Sequence, residues 1–138
     1  MEEYGLPARY FQFEITETVA TEYSESFSKA IEEFTKAGIG LCLDDFGSGY
    51  ANLNAVLKLP FDVVKMDRSL LTGISCDEQA AVFYRIIVMV MQNMGYMIVA
   101  EGAETEEEVK MLREWGVDMV QGYYFSRPLP GDELLKLF

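Results

Sequence analysis

Residues Leu41 to Leu53 read LCLDDFGSGYANL. A short apolar run stops abruptly on two adjacent acids, Asp44 and Asp45, followed by two glycines flanking Ser48. An apolar run without alternation fits a strand covered on both faces, the pattern of a parallel sheet. Working outward from it, five segments read as strands: Tyr10 to Thr16, Ile39 to Phe46, Phe61 to Asp67, Tyr96 to Gly102 and Asp118 to Phe125. The middle three are nearly all apolar until their last residues.

Helical spacing lies between them. From Ser24 to Ala37 the positions Phe27, Ala30, Ile31 and Phe34 form one apolar face, with Gly38 as a stop. Ser75 and Glu78 are predicted to form a capping box, opening a helix with Val82, Ile86, Val90 and Met94 inward and Gly95 as its stop. Thr105 and Glu108 repeat the device for a helix that buries Val109, Leu112 and Trp115 before Gly116. A shorter helix is predicted from Ala51 to Lys58, and another after Gly131. Strand and helix alternate five times, which predicts an α/β fold with a parallel sheet.

Composition narrows the function. The 138 residues are half hydrophobic, enough for one domain with a real core. No long apolar run predicts a membrane span, and the acidic start lacks the apolar stretch of a secretory signal. Cys42 and Cys76 sit in dissimilar contexts and form neither a metal motif nor a redox pair. A reduced, cytoplasmic protein is the expectation. Eleven basic residues against 23 acidic ones give a formal charge of −12, which disfavours nucleic-acid polymers and anionic membranes as partners.

Every strand delivers a polar group at its C-terminal end. Glu14, Thr16 and Glu17 close the first, Asp44 and Asp45 the second, Lys65 and Asp67 the third, Glu101 and then Glu104 the fourth, and Gln121 the fifth. In parallel α/β folds these ends share one face, where active sites form. Asp44 and Asp45 straddle their strand's exit and are expected to leave it in different directions. Gly47, Ser48 and Gly49 are read as a tight loop that stays close to a substrate. Carboxylates about 4 Å apart repel by about 1 kcal/mol in water and about 4 kcal/mol at an effective dielectric of about 20, so such a cluster calls for cations. With no histidine present, hard oxygen donors favour Mg²⁺ or Mn²⁺ over zinc. A site with two such ions normally works on phosphate esters. Asp67 and Glu104 taken singly read better as cap or turn residues, and Lys65 could be half of a structural ion pair.

The stretches FEITE, DDFGSGYANL, LPFDVVKMDRS, VAEGAET and QGYYFSRPLP, in that order, resemble the motifs of EAL domains. That family hydrolyses cyclic di-GMP to pGpG on a modified TIM barrel. The resemblance implies that Glu14, Asp44 and Asp45 are metal ligands, that Lys65 and Glu101 orient or activate water, and that Gln121 is a further active-site residue. It implies that Glu17 anchors the loop after Asp45, a loop the family also uses for dimerisation. Ser48, Ala51, Asn52 and Ala103 depart from the usual residues without removing a metal-site group.

The Glu-Ala-Leu motif and an Asn ligand of the family do not occur in these residues, so the chain is expected to span only barrel strands four to eight. A partial barrel leaves open edges, which predicts self-association through them or through the loop after Asp45. The expected function is therefore metal-dependent hydrolysis of cyclic di-GMP in a truncated, poorly active form. The alternatives are a non-catalytic binding or regulatory module and a purely structural oligomer.

Overall fold

In the computed structural model the described residues are 4–21, 24–49, 57 and 59–137. Five strands form one sheet in sequence order: β1 (Gln12–Thr16), β2 (Gly40–Phe46), β3 (Val63–Met66), β4 (Met97–Glu101) and β5 (Met119–Gln121). Every neighbouring pair is parallel. The helices between and after them are α1 (Glu17–Thr21), α2 (Glu25–Lys36), α3 (Arg68–Leu71), α4 (Glu78–Asn93), α5 (Glu106–Glu114) and α6 (Gly131–Leu134). The predicted α/β class with five parallel strands is therefore the observed one.

The sheet has two different faces. Leu41, Leu43, Val64, Met66, Ile98 and Ala100 join the main core with Ile31, Tyr84, Val88, Met91, Val109 and Leu112 from the helices. Their neighbours in sequence, Cys42, Val63 and Val99, project to the opposite face and form a small cluster of their own. Glu14, Cys42, Lys65, Val99 and Gln121 line a pocket on that second face. The apolar runs thus reflect one helix-covered face and one narrow concave face, not helices packed equally on both.

One expected capping box is found, one is replaced, and Ser24 supplies a cap that was not singled out. Ser24 accepts a hydrogen bond from Phe27 N–H and starts α2, whose Phe34 ring lies 4.4 Å from that of Phe13. Thr105 and Glu108 form the predicted reciprocal box at α5. The box assigned to Ser75 and Glu78 is not formed. Asp77 caps α4, accepting from Gln79 N–H and Ala80 N–H.

The phase of α4 also differs from the expectation. Val82, Ile86, Val90 and Met94 are between 37% and 51% exposed, while Tyr84, Val88 and Met91 are buried. The helix is apolar around most of its girth, so two phases satisfy the same spacing. Tyr84 decides between them by packing 5.7 Å from the Trp115 ring.

Strand β5 is shorter than the predicted Asp118 to Phe125, because the chain turns after Gly122 and Phe125 N–H bonds back to the Gly122 carbonyl. Gly122 is required there: a Cβ would come within 2.0 Å of the Ala103 carbonyl oxygen. The helix predicted from Ala51 to Lys58 lies outside the described residues apart from Leu57.

Candidate metal centre

Strand register brings the polar ends level. Thr16 pairs with Asp44 across β1 and β2, and Glu101 pairs with Gln121 across β4 and β5. Lys65 stands between them on β3, with its side chain only 15% exposed. Its Nζ lies 2.8 Å from Asp44 Oδ1, 2.9 Å from Glu101 Oε1 and 3.2 Å from Glu14 Oε1. Burial alone would push the ammonium's pKa down. The contacts to Asp44, Glu101 and Glu14 outweigh burial and hold it well above the ordinary lysine value.

The adjacent acids converge rather than splay. β2 carries a register irregularity between Leu43 and Phe46, and Asp45 has a φ of +56°, in the left-handed region. That conformation is uncommon outside glycine, though aspartate is among the residues that tolerate it. It abolishes the strand alternation that would send consecutive side chains to opposite faces. One carboxylate oxygen each of Asp44, Asp45 and Glu101 then lie within 4.8 Å of one another. Burial first, then Asp44 and Asp67, raise the pKa of Asp45.

Three acids in that arrangement could hold a divalent cation. Asp44 Oδ1 is buried and faces Lys65 Nζ at 2.8 Å. The donor set is all hard oxygen, which fits Mg²⁺ or Mn²⁺. Glu14 is not one of this trio; it approaches Lys65 from β1 with its side chain half exposed.

The remaining predicted residues fall around this centre. Glu17, the first residue of α1, is 6% exposed, and its Oε2 accepts a hydrogen bond from Gly47 N–H at 3.1 Å. Gly47 has a φ of +90° and packs against Leu70 with no room for a Cβ. Ser48 N–H bonds to the Asp45 carbonyl, closing the turn, and Gly49 is exposed. Gln121 is exposed and lines two pockets, one on the concave face and one at the rim with Arg68, Glu101, Glu104 and Tyr123.

Asp67 is the helix cap that its position implied, accepting from Ser69 N–H. Glu104 is an ion-pair partner instead, 2.8 Å from Arg68. Two residues beside the centre, Arg68 and Ser69, were not singled out in the sequence, and Cys42 was not placed there. Arg68 and Ser69 follow Lys65 in KMDRS, and the glycines they pack against, Gly102 and Gly47, are distant in the chain and give no local signal. Cys42 lies directly under the charges, where burial pushes its thiol up to about 12 despite the pull of Lys65. It is therefore a protonated packing group at neutral pH.

Parallel strands with an acidic, lysine-bridged pocket at their C-terminal ends define an α/β protein whose strand-end site could hold a divalent cation. The EAL domain family matches residues 1–128. The chain belongs to the EAL domain family. It is 35% identical over 130 residues to the cyclic di-GMP phosphodiesterase NbdA of Pseudomonas aeruginosa, an alignment covering 94% of this chain and 17% of NbdA. The EAL domain of Mycobacterium smegmatis DcpA superposes with a TM-score of 0.89 at 31% identity, covering 99% of this chain and 61% of that one. Klebsiella pneumoniae BlrP1, solved as a manganese and cyclic di-GMP complex, superposes with a TM-score of 0.84 at 32% identity, covering 92% of this chain and 32% of that one. The chain thus spans less than two thirds of each of these relatives.

Proposed function

We propose that this chain carries the lysine-bridged, acidic half of a cyclic di-GMP phosphodiesterase site, corresponding to barrel strands four to eight. The observation that carries this reading is the convergence of Asp44, Asp45 and Glu101 beside Lys65. It is supported by the named activity of NbdA and by the ligands in the BlrP1 complex.

Asp44 and Asp45 hold a divalent cation, Mg²⁺ or Mn²⁺, with Glu101 beside them and Glu14 completing the acidic wall across Lys65. When bound, such ions generate a nucleophilic hydroxide near neutral pH and stabilise the leaving oxygen of a phosphodiester. Lys65 holds the surrounding carboxylates in place and gives the site one fixed positive charge toward an anionic phosphate. Glu101, held by its contact with Lys65, accepts a hydrogen bond from an incoming water and orients it. Gln121, level with Glu101 and open to solvent, contacts the substrate. Gly47, Ser48 and Gly49 form the substrate-side loop, which Glu17 anchors.

A polypeptide of these 138 residues contains no Glu-Ala-Leu sequence. The resemblance places further ligands on that motif and on an Asn, so these residues alone bind cyclic di-GMP and turn it over slowly. The same feature favours the second reading, a cytoplasmic binding or regulatory module. β1 and β5 each pair on one side among the described residues, and Phe13 and Met119 on them are exposed. That is the basis for self-association through sheet edges.

The test is incubation with cyclic di-GMP and Mn²⁺, with pGpG followed by chromatography and binding followed by calorimetry. Binding with slow pGpG release is expected. Binding without product supports the module, and absence of both removes this reading.

A further inference from the structure

The four-residue helix α3 touches the loops on both sides of it. On the β2 side, Asp67 N–H bonds to the Phe46 carbonyl, and Ser69 Oγ donates to the Gly47 carbonyl at 3.3 Å. Leu70 fills the space a Cβ on Gly47 would need. On the β4 side, the Arg68 stem lies where a Cβ on Gly102 would fall, within 2.6 Å of Arg68 Cβ and Cγ. Its guanidinium then reaches Glu104. The Gly102 and Ala103 amides in turn donate to the Gln121 carbonyl at 2.7 and 3.2 Å.

Gly47 lies two residues beyond Asp45, and Gly102 directly follows Glu101. From these contacts we infer that Arg68 and Ser69 are positioning residues: α3 clasps the two flanking loops and sets the spacing of Asp45 and Glu101 about Lys65. The inference rests on the metal reading above and deepens it. The contacts divide the labour. Arg68 and Glu104 are 61% and 44% exposed in their side chains, and exposed ion pairs contribute little. The packed stem over Gly102 is the part that holds Glu101. Gly102 has a φ of +80°, so a side chain of its own would be strained there, and Arg68 supplies the missing bulk from the neighbouring loop.

The experiment uses three variants of the whole chain: Arg68→Ala, Arg68→Met and Ser69→Ala. Amide exchange at Gly102 and Ala103 is measured without metal, and Mn²⁺ affinity by calorimetry. Arg68→Ala is expected to speed exchange at both amides and to weaken Mn²⁺ binding by about 10- to 100-fold, the usual effect of losing a group that orients metal ligands. Arg68→Met keeps the stem and is expected to restore most of both. Ser69→Ala is expected to weaken Mn²⁺ binding without changing exchange at Gly102. Unchanged exchange and affinity in a folded Arg68→Ala chain overturns the inference, as does faster exchange with unchanged affinity. If the parent chain binds no Mn²⁺ while Arg68→Ala still loosens Gly102, the metal reading fails and the clasp stands.

Discussion

Lys65 Nζ stands 2.8 Å from Asp44 Oδ1, joining β3 to β2 across the mouth of the sheet. The lysine is the only cation among the described residues that touches three carboxylates from three other strands. It ties β1, β2 and β4 to β3 through charge.

Replacing Lys65 with Met leaves those carboxylates without their counter-charge. Urea denaturation at pH 7 in the presence of EDTA should show a loss of about 2 kcal/mol, the scale of a hydrogen bond to a charged group. The pKa of Lys65 is raised on folding, so its contribution is complete below the unfolded value and fades only as pH climbs through the higher folded one. The difference between parent and variant should therefore be as large at pH 9 as at pH 7. A difference that vanishes by pH 9 would contradict the ion-pair account.

Asp45→Asn should have opposite effects with and without metal. The pKa of Asp45 is raised by burial, Asp44 and Asp67, so ionising it destabilises the folded chain. Its neutral form is favoured in the fold, and stability falls as pH rises through the folded value. Asn keeps the left-handed backbone and removes the charge. The variant should melt higher than the parent at pH 7 in EDTA, with the gap closing in acid. Saturating Mn²⁺ should reverse the order, as seen by melting temperature.

The phase of α4 can be checked by two substitutions. Met91→Ala, which opens a buried site, should cost about 2–5 kcal/mol. Ile86→Gln, on the exposed face, should stay within about 0.5 kcal/mol. The inward face read from the spacing alone predicts the reverse ranking in denaturant.

Gly122→Ala forces a methyl into the Ala103 backbone, which cannot move aside as a flexible side chain could. A loss of about 1–3 kcal/mol or more is expected, measured by chemical denaturation, with loosened pairing of β4 and β5. A neutral variant would mean that this end of the sheet is not tightly set.

What could be read in the sequence follows from which signals are local. Asp44, Asp45, Lys65 and Glu101 stood out because five predicted strands all deliver a polar group at the same end, although a single acid there usually caps a helix or turn, as Asp67 does. Asp62 and Asp118 carry the same side chain at strand starts, where they accept hydrogen bonds from Leu41 N–H and Ile98 N–H on neighbouring strands. Only the direction of the strand separates the two sets. The inward face of α4 was not legible, because valine, isoleucine and methionine surround the helix and its phase is set by Tyr84 meeting Trp115, a distant residue. The convergence of Asp44 with Asp45 was hidden for another reason. It depends on a left-handed φ at a residue that is not glycine, which spacing does not announce. Arg68 was passed over because its role lies in the space left by Gly102, 34 positions away in the chain.

The most direct test of the metal centre is anomalous diffraction from crystals of this chain soaked in Mn²⁺. The account predicts a manganese peak within coordination distance of Asp44 and Asp45 and next to Glu101, and no such peak in Asp45→Asn crystals. An empty pocket with Lys65 still bridging the carboxylates, or a peak elsewhere on the surface, would contradict it.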